Sequence, residues 1–314
     1  MTSVVYTHRR DVDGLMSAAI FLRVHPLATV KFVDYGLDDM KHLLIELSEL
    51  KVVELTVIAD FGLDDDKRDA MVTALSSLVS RGTRVDWLDH HSWSAASMEA
   101  VRRAGVELVK PPDREACGAE LVQRRYAPSD DYSKRLAELA HATDFHEPLD
   151  EIGRVLTGVV DYYNSLTKAE CDKKLERLAQ VVSEGVLVDS VVYNDYCHYT
   201  KLVAHSEEEL RKTARLLNAG GFRVAVGFAT GPLGPTRTCD VLRETFPSDI
   251  QVYVKGRKVS FRRSNENIDC AKIAKAFRGG GHDYAAGGEL EFDANTDEAR
   301  EKFLQLLMHA LEDL

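Results

Sequence analysis

Five times in the first part of the chain a short β-rich run is followed by a longer amphipathic one. The pairs are SVVYT then GLMSAAIFLRV, VKFVDY then DDMKHLLIELSEL, ELTVIAD then DDDKRDAMVTALSSLVS, TRVDWLD then SAASMEAVRRAG, and VELVK then ACGAELVQRRYA. The short runs suit strands and the longer ones suit helices with one apolar face. Strands alternating with crossover helices leave few topologies, because each βαβ unit closes with the same hand. The pattern predicts an α/β fold whose N-terminal part is a doubly wound, mostly parallel sheet. From about residue 129 to 217 the periodicity is helical, and EEELRKTARLLN reads as the last helix before a break at NAGGF. Beyond it RVAVGFAT, DIQVYVK, RKVSFRR and GELEFDA read as strands, with CAKIAKAF and DEAREKFLQLLMHALEDL as helices. The expected organisation is a first domain at 1–190, a helical connector at 191–218 and a smaller α/β domain at 219–314.

Composition narrows the function classes. The 314 residues include five cysteines, an odd number without CxxC spacing, so neither a disulfide framework nor a structural zinc site is expected. No apolar run approaches the roughly 20 residues that span a bilayer, and MTSVVYTHRR has no apolar signal core. The expectation is a soluble, cytoplasmic protein without a membrane partner. A net charge of −11 argues against binding duplex nucleic acid, whose affinity comes chiefly from many phosphate contacts. A local basic pocket for a small anion is compatible with it.

Open α/β sheets place their ligands at the carboxyl ends of the strands. Here the first strand runs into THRRDVDG, offering His8, Asp11 and Asp13; LTVIAD ends at Asp60; and VDWLD ends at Asp89, followed by His90 and His91. Aspartate at any one of these points reads as a helix cap or turn residue. Capping does not call for histidine, however, and three strand ends share the pattern. Carboxylate oxygens grouped with imidazole nitrogens suit Mn²⁺ or a similar divalent ion.

HRRDVDG, the AD at 59–60, the DHH at 89–91 and ATDF around Asp144 resemble, in order, the four motifs of the DHH phosphoesterase superfamily. VSFRRS followed by IDCAKIAKAFRGGGHDYAAGG resembles the DHH-associated C-terminal domain, with its arginine-bearing strand and GGGH loop. Asp283 stands where many relatives have proline, and Arg278 where many have a further glycine. The resemblance implies two divalent ions, Mn²⁺ first with Mg²⁺ or Co²⁺ as alternatives, bridged by Asp60. His8 and Asp11 would complete one site, and Asp13, His90 and Asp144 the other. Ions so held activate water for attack on a phosphoester. His91 would face the phosphate and Asp89 would orient a histidine, while Gly14 is suited to the bend that lets both Asp11 and Asp13 reach metal. His141 and His146 read as surface residues.

In the second domain, strand alternation puts Ser260 and Arg262 on one face and Phe261 and Arg263 on the other. The family's binding arginine best matches Arg262, whose guanidinium can grip a phosphate bidentately; Arg263 could equally be a solvated charge. Gly279, Gly280 and Gly281 would let backbone N–H groups approach an anion, and His282 would add a side-chain contact. These assignments lead to a Mn²⁺-dependent phosphodiesterase that hydrolyses short single-stranded oligoribonucleotides, dinucleotides foremost, to nucleoside monophosphates. The alternatives are a cyclic dinucleotide phosphodiesterase, a nucleoside 3′,5′-bisphosphate phosphatase, an exonuclease on longer single strands and a non-catalytic nucleotide sensor. Homodimerisation is left open.

Overall fold

The computed structural model describes residues 3–51, 53–111 and 115–312. It divides into two compact units, residues 1–197 and 198–314.

In the first unit β1 (Ser3–His8), α1 (Val12–Val24), β2 (Thr29–Val33), α2 (Leu37–Glu49), β3 (Leu55–Ala59), α3 (Arg68–Ser80), β4 (Arg84–Leu88), α4 (Ala95–Arg103) and β5 (Glu107–Val109) alternate strictly. The strands form one parallel sheet in the order β2-β1-β3-β4-β5. Successive strand residues feed opposite layers. Val5, Val57 and Leu88 pack with α1, whereas Val4, Tyr6, Ile58 and Trp87 pack with apolar residues of α2, α3 and α4. The helices that follow β1 and β3 therefore lie on opposite faces, and the crevice outside the ends of these two neighbours is the switch point where such sheets bind ligands.

The helices α5 (Gly118–Tyr126), α6 (Asp131–Asp144), α7 (Glu151–Asn164) and α8 (Lys168–Ser183) follow. With α1 they share one core, in which Val12, Leu15, Ile20 and Phe21 meet Leu121, Leu136, Leu156 and Leu175. Every residue of α1 from Val12 to Leu22 is buried, which explains why GLMSAAIFL is apolar all round. The helical stretch after residue 129 is thus largely part of the first unit. Only α9 (Ser190–Thr213) runs from one unit into the other: Val192 belongs to the first core and Leu210 to a core of the second.

The second unit contains β6 (Arg215–Ala219), β7 (Phe222–Phe228), α10 (Pro235–Thr245), β8 (Ile250–Lys255), β9 (Lys258–Arg263), α11 (Cys270–Lys275), β10 (Gly280–Gly281), β11 (Ala285–Glu289) and α12 (Asp297–Glu312). Its sheet runs β10-β11-β9-β8-β7-β6, with only β7 and β8 parallel. Two expectations change here. RLLNA, read as the end of a helix, is strand β6, because Gly220 and Gly221 fold it into a hairpin with β7. The Pro-initiated helix α10 was not expected from its weakly apolar sequence.

The hairpin generates a test. Gly220 and Gly221 both have positive φ, +57° and +81°, but a Cβ on Gly220 would sit 2.1 Å from the Leu311 carbonyl oxygen, whereas one on Gly221 meets nothing within 4 Å. Gly221→Ala should cost about 1–2 kcal/mol for its left-handed backbone, and Gly220→Ala about 1–3 kcal/mol more for the overlap. Urea unfolding of both variants checks this; equal losses would mean that β6 and α12 do not pack as described.

Candidate metal centre

Three strand ends and three helices, α1, α5 and α6, converge at the switch point. Asp11 caps α1, its Oδ1 accepting from the Gly14 N–H at 3.0 Å, and its Oδ2 lies 2.7 Å from His8 Nδ1. Asp13 falls within the first turn of α1, so a helix start, rather than a bent extended segment, brings the two aspartates to one site. Gly14 has a different reason to be glycine from the one expected: a Cβ would lie 1.9 Å from the His8 carbonyl oxygen, so only glycine lets the helix close against the end of β1.

Asp13 is fully buried and accepts from Gly118 N at 2.7 Å and Ala119 N at 2.6 Å, the first amides of α5. Those amides have no partner within their own helix, and the positive end of the helix suits a carboxylate. Gly118 again permits the approach, since a Cβ would stand 2.5 Å from Asp60 Cβ. Asp60 follows β3 with φ +51°. Aspartate is one of the few residues besides glycine that enters this region. His90 Nε2 lies 3.3 Å from Asp60 Oδ1 and 3.7 Å from Asp13 Oδ2, and its Nδ1 lies 3.7 Å from Oδ2 of Asp144, the last residue of α6.

Two groupings follow from this packing: His8, Asp11 and Asp60 offer ligand atoms within 4.8 Å of one another, and so do Asp13, His90 and Asp144. His91 forms a third with Asp60 and His90. Its Nδ1 is held by Asp89 Oδ1 at 2.7 Å, so Nε2 is the nitrogen left for a ligand. Asp89 is itself pinned by Trp93 Nε1 at 2.6 Å and the His91 N–H at 3.2 Å. Burial works against a charged His91, but the Asp89 carboxylate outweighs it and raises the pKa.

The charge balance of this crevice fits divalent cations. Burial, and then the charge of Asp11, push Asp13 up to about 6. Burial together with Asp13, Asp11 and Asp89 raises Asp60 well above the ordinary carboxylate range. Asp11 is lower than usual: burial opposes this, and its bond to His8 prevails. Buried like charges need neutralisation. Asp60 Oδ2, His8 Nε2 and His90 Nε2 are meanwhile buried without a hydrogen-bond partner. Oxygen and imidazole donors of this kind match Mn²⁺, Mg²⁺ or Co²⁺.

The end of β2 also reaches the site, which the sequence reading missed although VDY carries the same polar punctuation as the other strand ends. Asp34 accepts from Arg9 at 3.0 Å, Arg10 at 2.6 Å and the Tyr35 N–H at 2.8 Å. Tyr35 stacks on Phe61, centroids 4.6 Å apart at 9°, and its hydroxyl accepts the Gly62 N–H at 2.7 Å. His141 is half-buried and bonded to Glu120 Oε2 at 2.7 Å, where a surface residue was expected; His146 has φ +57°.

In the second unit Phe261 is fully buried, while Ser260 and Arg262 lie on the other side of β9, half-buried. Arg262 has no carboxylate partner among the described residues. Arg263 is not a solvated charge: it pairs with Asp283 at 2.8 Å and donates to the Ile268 carbonyl at 2.6 Å. The glycines of GGGH serve the sheet first. Gly279 donates to the Ala274 carbonyl at 2.9 Å, and a Cβ on it would lie 1.9 Å from the Gly287 oxygen; Gly281 has φ +138°; only Gly280 faces open space. His282 is exposed and stacked on Tyr284, centroids 5.2 Å apart and planes at 1°.

The chain thus combines an α/β domain that has an acidic and imidazole centre at its switch point with a smaller mixed-sheet domain. Residues 236–311 match the family described as DHHA1 domain. No curated protein matches the chain in sequence. Among solved structures, the pGpG-specific phosphodiesterase PggH from Vibrio cholerae is similar at 13% identity and TM-score 0.60, covering 100% of this chain and 99% of that one. An exopolyphosphatase-related protein from Bacteroides fragilis is similar at 14% identity and TM-score 0.50, over 99% and 92%. CDC45 from Entamoeba histolytica is similar at 7% identity and TM-score 0.55, over 99% and 95%. At such identities the likeness is one of fold. The comparisons thus identify a DHHA1 domain at residues 236–311 and, for the chain as a whole, a fold shared with these structures.

If Asp60 serves both groupings, Asp60→Ala should lower the bound Mn²⁺, whereas Asp283→Ala, whose carboxylate pairs with Arg263, should not. His90→Ala should lose one ion and His91→Ala none. Metal analysis of the purified variants decides it; full occupancy without the Asp60 carboxylate would remove that residue from the metal set.

Proposed function

We propose that the protein is a two-metal phosphodiesterase acting on short single-stranded oligoribonucleotides, dinucleotides foremost, and releasing nucleoside monophosphates. The observation that carries this reading is the pair of adjoining ligand groups, His8–Asp11–Asp60 and Asp13–His90–Asp144, beside a histidine held by its own carboxylate. Divalent ions, Mn²⁺ foremost, would supply charge neutralisation and an activated water for attack on phosphorus. Asp13 and Asp60 would hold them from fixed backbone positions. His91, with Nδ1 committed to Asp89, presents Nε2 to a phosphate oxygen and stabilises the charge that develops there.

The DHHA1 unit supplies the remaining groups. Arg262, free of carboxylate partners among the described residues, is assigned to a substrate phosphate beyond the scissile one, with Ser260 on the same face of β9. The exposed His282 and the open edge at Gly280, flanked by Gly279 and Gly281, are assigned to the nucleotide. A linear dinucleotide is favoured because PggH, described as pGpG-specific, has this two-part fold over its full length. The net charge of −11 fits a short substrate better than a polyanion.

The test is a comparison of kcat/KM on a 5′-phosphorylated dinucleotide, a ten-mer, cyclic di-AMP and a nucleoside 3′,5′-bisphosphate, with bis-p-nitrophenyl phosphate as a generic ester. The dinucleotide should be preferred. Arg262→Ala and His282→Ala should each lower kcat/KM for the dinucleotide, relative to the generic ester, by about one to two powers of ten, the worth of a charge-assisted hydrogen bond. His91→Ala should cost about 2.7–4 kcal/mol in transition-state stabilisation on both substrates. Equal losses on both substrates for Arg262→Ala would assign that residue to chemistry or folding, and preference for the ten-mer would make the protein a single-strand exonuclease.

A further inference from the structure

Tyr35 is held more firmly than a loop tyrosine needs to be. Its N–H is bound by Asp34, its ring lies flat on the fully buried Phe61, and the Phe61 carbonyl is fixed by Trp87 Nε1 at 2.8 Å. The ring stands between two site histidines, 5.2 Å from that of His8 and 6.1 Å from that of His91. The hydroxyl accepts the Gly62 N–H, so one lone pair is occupied and the direction of the O–H bond is restricted. Its proton has no acceptor among the described residues. Gly62 lets the hydroxyl approach His91: a Cβ there would lie 3.0 Å from His91 Cβ and 3.3 Å from Tyr35 Oη.

Three roles can be weighed against this geometry. Stacking on a base is disfavoured, because Phe61 covers one face of the ring and His8 lies against it at a tilt of 59°. Metal ligation is disfavoured, because the phenolic oxygen already accepts the Gly62 N–H at 2.7 Å, which occupies a lone pair an ion would need. What is left is a neutral, rigid donor beside a place where negative charge develops, which is the kind of group that stabilises a transition state without having to reorganise.

We propose that Tyr35 is a catalytic residue whose Oη donates a hydrogen bond to a non-bridging oxygen of the scissile phosphate, alongside His91. This rests on the phosphoesterase reading above. The donor supplies no proton to the products; its hydrogen bond strengthens as charge builds on the oxygen. A structural alternative also exists, in which the hydroxyl only anchors Gly62.

Tyr35→Phe, in the full chain loaded with Mn²⁺, separates the two. Five quantities are compared with wild type: bound metal, affinity for orthovanadate, affinity for inorganic phosphate, and kcat and KM on the 5′-phosphorylated dinucleotide. The proposal expects unchanged metal, and about a 100-fold fall in kcat at nearly constant KM. It also expects vanadate, which mimics five-coordinate phosphorus, to weaken by about tenfold or more while phosphate changes by less than about threefold. Loss of metal, equal weakening of both anions, or unchanged vanadate affinity overturns it. If wild type fails to cleave the dinucleotide while the vanadate difference persists, the proposed substrate is wrong and the role of Tyr35 stands. If wild type binds neither anion, both readings fall.

Discussion

Two carboxylates, Asp13 and Asp60, sit at the centre of the first unit with essentially no solvent to screen them. Burial raises the cost of ionising both, Asp11 adds to it for each, and Asp13 and Asp89 add to it for Asp60. The surrounding structure lowers that cost without removing it. The first amides of α5 point at Asp13, and His90 leans between both carboxylates. Glycines at 14 and 118 let backbone come where a side chain could not. Asp60 is held at φ +51°, a strain of about 1 kcal/mol or more that persists only where neighbours enforce it. A fold that concentrates buried negative charge this way is built for cations.

The sheet order explains why the charge collects there. With β1 and β3 adjacent and their helices on opposite faces, the chain leaves the sheet in two directions and opens a crevice at their carboxyl ends. Asp11 and Asp13 enter it from the start of α1, Asp60 from the end of β3, His90 and His91 from the end of β4, and Asp144 from the end of α6. Because α1 is buried along nearly its whole length, it cannot shift without disturbing α5, α6 and α8. Its aspartates are thereby held in fixed positions at the crevice.

Much of this was legible in the sequence. The alternation of short apolar and long amphipathic runs gave the parallel sheet, since period-two and period-3.6 patterns are set by burial of single faces. The strand-end residues stood out because histidine there has no capping role. What stayed hidden depends on through-space approach. The need for glycine at 14 comes from the His8 carbonyl, and at 118 from Asp60, a residue far away in the chain. RLLNA folds as a strand because two glycines turn it back onto β7, a pairing that outweighs helical propensity. Arg263 looked solvated because its partners come from irregular segments, the Ile268 carbonyl from the loop before α11 and Asp283 from the turn between β10 and β11. Tyr35 was passed over because one aromatic at a strand end usually means packing, and its hydroxyl acquires meaning only beside Gly62 and His91.

The central claim is that this crevice holds two divalent ions with Asp60 between them. Crystals of the protein soaked in Mn²⁺ and measured at the manganese absorption edge test it directly. The account predicts two anomalous peaks, both within coordination distance of an Asp60 oxygen, one also contacted by His8 and Asp11 and the other by Asp13, His90 and Asp144. A map with no peak at the ends of β1 and β3, or with peaks that Asp60 does not touch, would contradict it.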